Sequence, residues 1–240
     1  MPAPFRSEFN KGTVYLIGGG SGSRKYLTLE ADSILSQADV VLHDMFMDSL
    51  KEYYPQAEWI HTGKQKGVHT KKQTEINELL VRYAKEGRKT VRLKAGDVSI
   101  FARTSEEIEI LRANHFAVKL VMGISSPQLL SGELTTSLTH RDRTRSVSYW
   151  SGYWDKNIQS VEIPRSDAHL IFMGLGELEN IVNRFLALGK SELTPLIAAS
   201  NLGRPNQKIV KTNLRDAAQD IKNAELENPT LLAVGLEHID

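Results

Sequence analysis

Cysteine is absent from this chain of 240 residues. That excludes a disulfide framework, a thiolate zinc site, a cysteine nucleophile and a CxxC redox centre. A surplus of charge is missing too. Thirty Lys+Arg stand against 29 Asp+Glu, a formal net of +1, so no global field marks a nucleic-acid or membrane-surface binder. No apolar run reaches the roughly 20 residues that a membrane helix needs. The opening MPAPFRSEFNKG has no apolar stretch of signal-peptide type. Among the seven histidines there is no HExxH, and His61 and His69 lie across a glycine turn, so no metal site is expected. A GxSxG elbow is lacking. His140-Arg-Asp142 copies a kinase triplet, but Val147 stands where its asparagine would fall and no DFG follows. The expectation is a cytoplasmic α/β globule with no nucleic-acid or membrane partner, long enough for one large domain or two modest ones.

What is present is alternation. Thr13-Val-Tyr-Leu-Ile17 reads as a buried strand, and TLEADSILSQ over 28–37 as a helix. A strand over 40–43, a helix over 48–54 and a strand over 58–62 continue the series. In the segment 72–86, Ile76, Leu79, Leu80 and Tyr83 make one apolar helical stripe. A strand over 90–93, a helix capped by Ser105 and running to Asn114, and a strand over 118–121 complete a doubly wound, mostly parallel sheet. The second half is less regular. It has a helix over 125–134 interrupted by Pro127, strands at 146–150, 170–173, 196–199, 208–211 and 230–234, and helices at 177–187 and 214–224. These patterns predict an N-terminal parallel-sheet domain over 1–123 and a C-terminal mixed-sheet domain over 124–240.

Ligands of such sheets gather at the carboxyl ends of the strands. Here those ends carry Gly18-Gly-Gly-Ser-Gly22, His43-Asp44, Gly63-Lys-Gln-Lys-Gly67, Lys94-Ala-Gly-Asp97 and Met122-Gly-Ile-Ser-Ser126. The first is neither the dinucleotide fingerprint, whose third glycine position holds Ser23, nor a P-loop, since no G-K-[ST] triplet follows. By itself it reads equally as a strand-to-helix turn or as a cofactor loop.

Taken in order, these junctions resemble the tetrapyrrole methylases, over about Gly12 to Gly235, and within them the branch that methylates uroporphyrinogen III. The family's GAGPGDPxLLT corresponds to 18–28, GGGSGSRKYLT, and its YDxLV to His43-Asp-Met-Phe-Met47. GKRxGxH appears at 63–69, QxEIN at 73–77 and RLKGGDPxIFxRxxEE at 92–107. PGI falls on 122–124, LTHRD on 138–142, YMGL on 172–175 and SPALIxVG on 228–235. The departures sit in the ligand loops: Ser21 for proline, Ser23 for aspartate, Gln65 for arginine, Ala95 for glycine, Met122 for proline. Since alanine resists the positive φ that glycine accepts, Ala95 is expected to reshape its turn.

The resemblance implies two α/β domains with S-adenosylmethionine in a cleft between them, converted to S-adenosylhomocysteine, usually in a homodimer. It places Asp44 as general base and Lys64 as acid, for a proton must leave the methylated ring. Taken without the motif, Asp44 is an ordinary turn or cap residue and Lys64 a solvated cation. Cofactor contacts carry over to Ser21, Ala95, Gly96, Asp97, Ile100, Ser125, Ser126, Met173 and Leu202, largely through backbone. Met173 reads alone as a core methionine. An anionic tetrapyrrole substrate with eight carboxylates calls for fixed cations, for which Lys66, His69, His140 and Arg141 are candidates. The activity implied is two C-methylations of uroporphyrinogen III to precorrin-2. Two alternatives are a same-fold methyltransferase for another tetrapyrrole or anionic metabolite, and a non-catalytic relative that binds cofactor or tetrapyrrole.

Overall fold

The computed structural model describes residues 5–63, 72–153 and 162–236. The chain divides into two compact units, 1–125 and 126–240. In the first, β1 (Thr13–Gly18), β2 (Val40–His43), β3 (Glu58–His61), β4 (Thr90–Lys94) and β5 (Ala117–Val121) form one sheet in the order β3-β2-β4-β1-β5. Every pairing in it is parallel. The period-two alternation of β1 accounts for the layers. Tyr15 and Ile17 join a core with α1 (Leu29–Leu35), while Val14 and Leu16 face α2 (Gln73–Lys85) and α3 (Thr104–Ala113). With helices on both faces, the central strands are buried throughout, as parallel sheets require.

Local signals set the helix boundaries. Thr28 accepts a hydrogen bond from the Ala31 amide and caps α1. At α2 the Glu75 side chain accepts from the Lys72 amide. The helix expected over 48–54 is instead a 3-10 turn at Asp48–Tyr53: six residues cannot repay α-helix nucleation. Ser105 does not cap α3. The helix begins at Thr104, after Arg103 at φ 53.

The second unit opens with α4 (Ser126–Glu133), in which Pro127 occupies the first turn and interrupts nothing. Its sheet holds β6 (Val147–Ser151), β7 (Ala168–Phe172), β8 (Pro195–Ser200), β9 (Lys208–Asn213) and β10 (Thr230–Val234) in the order β6-β7-β10-β8-β9. Only β6 and β7 pair in parallel, so this sheet is mixed. Packed on it are α5 (Leu178–Ala187) and α6 (Ala217–Asn223), through Ile181, Phe185, Ala217 and Ile221.

Candidate active site

Because β4, β1 and β5 are neighbours, the loops that leave their carboxyl ends meet. The Gly19 amide donates to the Lys94 carbonyl at 2.7 Å, and Gly20 and Gly96 exchange backbone bonds of 3.2 and 2.7 Å. Behind them Gly18 and Gly123 touch backbone to backbone. A Cβ on Gly123 would stand 2.3 Å from the Gly96 carbonyl oxygen, and one on Gly18 would stand 2.7 Å from the Gly123 Cα. Asp97 closes the seam. Its Oδ2 accepts from the Gly123 amide at 2.8 Å, and its Oδ1 from the Ser99 amide at 2.8 Å. The carboxylate is thus spent on joining two loops, and what it leaves toward a ligand is backbone. The expected reshaping at Ala95 does not occur. The positive φ of this turn falls on Gly96, at 72°, and not on Ala95. On the Cβ side of Gly96 the nearest atom is the Ser125 Cα at 4.0 Å, so that face of the turn is open.

One strand further along, Asp44 leaves β2. Its Oδ1 accepts from Thr62 Oγ1 at 3.3 Å and from Arg92 Nη2. Arg92 also donates through Nε to Glu107 Oε1 at 2.9 Å, and Lys94 Nζ donates to Glu107 Oε2 at 2.7 Å. Arg92, Lys94 and Glu107 are buried, while the Asp44 side chain remains 31% exposed. Two cations and two anions therefore balance along the inner edge, and one carboxylate opens outward. Burial, then the Arg92 charge, lowers the Lys94 ammonium below the usual lysine range, against the pull of Glu107 and Asp44. In the sequence Arg92 and Glu107 stand out only as letters of the 92–107 motif, and Lys94 also as the end of a strand. The signal was there, since charged residues inside the apolar strand at 90–94 must be paired to be buried.

The other candidates differ in how they are presented. Ser21, Ser125 and Leu202 are buried, Ile100 and Ser126 are half-buried, and Ala95 is exposed. Met173 is not the core methionine of the bland reading. Strand β7 ends at Phe172, and Met173 stands 51% exposed at φ 55, a conformation that costs a non-glycine residue about 1–3 kcal/mol. His140 and Arg141 are exposed on a tight loop closed by the His140–Thr144 bridge. Lys64, Lys66 and His69 lie outside the described residues.

A cluster that the sequence spacing concealed adjoins Asp44. The parallel register pairs His43 at the end of β2 with His61 at the end of β3. Asp48 Oδ1, from the following 3-10 turn, stands 3.9 Å from His43 Nε2 and 3.9 Å from His61 Nδ1. His43 ends the expected strand over 40–43 and His61 stands one residue before the end of that over 58–62, so adjacency of those strands was the signal.

A doubly wound parallel sheet of this order in the first unit and a mixed one in the second, with a glycine seam beside a buried ion-pair network, define a two-unit α/β protein with a candidate ligand site at the carboxyl edge of the parallel sheet. Residues 13–218 match the family Tetrapyrrole (Corrin/Porphyrin) Methylases, and the chain belongs to it. It is 34% identical over 232 residues to the S-adenosyl-L-methionine-dependent uroporphyrinogen III methyltransferase, chloroplastic, of Arabidopsis thaliana, covering 93% of this chain and 63% of that protein. A siroheme synthase of Nitrosomonas europaea is 34% identical over 95% of this chain and 49% of its own length. The chain thus spans about half to two-thirds of these relatives. A solved structure of uroporphyrin-III C-methyl transferase from Thermus thermophilus, complexed with S-adenyl homocysteine, superposes with a TM-score of 0.77 at 30% identity, covering 93% of this chain and 97% of that one.

Proposed function

We propose that this chain transfers methyl groups from S-adenosylmethionine to carbon atoms of uroporphyrinogen III, twice, giving precorrin-2. The observation that carries the reading is the placement of Asp44: a partly exposed carboxylate at the carboxyl edge of the parallel sheet, fixed by Arg92 and Thr62. The family match and the Thermus relative support it.

For the cofactor, the open face of Gly96 and the exposed Ala95 of the first unit offer backbone, and Met173, exposed after β7 in the second unit, is a further assigned contact. Ser21, Asp97, Ile100, Ser125, Ser126 and Leu202 are assigned to the same set. When bound, the cofactor supplies an electrophilic methyl group with its own sulfonium leaving group. The protein's part is to orient, to exclude water and to manage a proton. Asp44 takes up the proton that the ring system gives up, from a pyrrole nitrogen or a bridging carbon, once the new carbon–carbon bond has formed, and Arg92 holds its Oδ1 while the second oxygen does so. Lys64 is assigned as the acid that returns a proton. His140, Arg141, Lys66 and His69 are assigned to substrate carboxylates, the arginine by paired N–H donors. A cytoplasmic homodimer belongs to the same proposal.

The test is mass spectrometry of the product formed from uroporphyrinogen III with labelled cofactor. Two added methyl groups are expected. Cofactor binding without any methylated product would overturn the substrate, and no cofactor binding would overturn methyl transfer. Asp44→Asn should lower kcat by about 10²–10⁴-fold while cofactor affinity stays near wild type; undiminished turnover would remove Asp44 as the base.

A further inference from the structure

We infer that His43, His61 and Asp48 form a binding site for one divalent first-row transition ion, such as zinc or cobalt. Their three ligand atoms, His43 Nε2, His61 Nδ1 and Asp48 Oδ1, lie within 4.8 Å of one another. Tetrahedral coordination at about 2.0–2.1 Å sets ligand atoms roughly 3.4 Å apart. The two 3.9 Å separations to Asp48 therefore need only a small closure. Two imidazoles and a carboxylate suit zinc, cobalt or nickel, and leave the fourth position open.

Two observations on the histidines themselves favour an ion over a packed pair of rings. First, His61 Nδ1 and Nε2 are both buried, and neither has a hydrogen-bond partner among the described residues. An unsatisfied buried polar group costs about 1–3 kcal/mol, and a metal–nitrogen bond removes that cost for Nδ1. Second, His43 Nδ1 lies 3.1 Å from the Asp44 carbonyl oxygen. That oxygen only accepts, so the proton is assigned to Nδ1 and the Nε2 lone pair is directed at Asp48 and His61. A ligand histidine that donates its other N–H to a carbonyl has the usual second-shell arrangement. The Arg92 charge that bears on His43 is itself paired by Asp44 and Glu107, while Asp48 stays 66% exposed and gives the ion a route in.

The site rests on these side chains and not on methyl transfer. An ion there would tie the ends of β2 and β3 to the turn after β2, and would polarise the His43 N–H that holds the Asp44 backbone.

The experiment takes the full chain, stripped with a chelator, and titrates it with Co²⁺ and then Zn²⁺. One equivalent of Co²⁺ should bind with the visible absorption of a four- or five-coordinate site, and Zn²⁺ should displace it and raise Tm. Asp48→Asn, at an exposed position, should weaken Zn²⁺ binding at least about tenfold. His61→Phe, which keeps a ring against His43, should abolish the cobalt band; circular dichroism and metal-free Tm report whether each variant is folded. No uptake of either ion by the wild-type chain overturns the site. So does wild-type affinity in either folded variant, because the ion would then sit on other histidines.

Discussion

Glu107 is fully buried between two cations, Arg92 and Lys94, and accepts from both at 2.9 and 2.7 Å. Removing its charge leaves buried Lys94 without its ion-pair partner beside Arg92, which keeps only Asp44. Glu107→Gln is therefore expected to lose about 3–5 kcal/mol, read as a lowered denaturation midpoint in urea. A second buried group gives a pH dependence. His169 on β7 is 2% exposed and packs at 4.8 Å against Phe185. Burial, with the Lys190 charge second, brings its pKa down to about 4. The unfolded chain takes a proton below about 6.5 that the folded chain refuses until about 4, so the contribution is full above pH 6.5 and is lost as pH falls through that window. The loss is at most about 3 kcal/mol, and His169→Phe should flatten the acid limb of stability against pH between those values. Neither role was legible in the sequence, because a single letter does not say whether its environment is paired or dry.

At the scale of elements, most of the fold was readable. Strands β2 and β10 fall on their expected residues, and α1, α2 and α5 lie within a residue or two of their patterns. Apolar runs and a Thr28 cap carry that information locally. What was not readable depends on neighbours: the 3-10 turn at 48–53, the register that pairs His43 with His61, and the positive φ that falls on Gly96 and not on Ala95. Two glycine substitutions separate local from non-local demand. Gly132, in α4, has open space where a Cβ would go. Gly132→Ala should stabilise by about 0.5–1 kcal/mol, since only chain entropy changes. At Gly123 the same Cβ meets backbone of both Gly18 and Gly96. Gly123→Ala should cost about 1–3 kcal/mol through overpacking, and should weaken cofactor binding by calorimetry more than Gly132→Ala does.

For the whole molecule, the near-cancellation of 30 against 29 charges hides local order. The inner network of Arg92, Lys94, Glu107 and Asp44 is itself neutral, whereas the loop of His140, Arg141, Arg143 and Arg145 is exposed and rich in arginine. Under the proposed function, recognition of a polycarboxylate depends on that loop and not on net charge. Raising ionic strength from low to physiological is thus expected to raise KM for uroporphyrinogen III while leaving kcat nearly unchanged, measured in steady state over a salt series.

The seam of Gly18, Gly96 and Gly123 has a consequence for how such a molecule diverges. Of the residues that set this chain apart from its family motifs, Ser21, Ser23, Ala95 and Met122 flank the seam in sequence, and none of these falls on it. A joint made of glycine backbone, with the Asp97 carboxylate as its one side-chain tie, fixes the spacing of the loops and leaves little to alter. Ligand preference is then free to drift at the flanking positions while the frame that presents them is inherited unchanged.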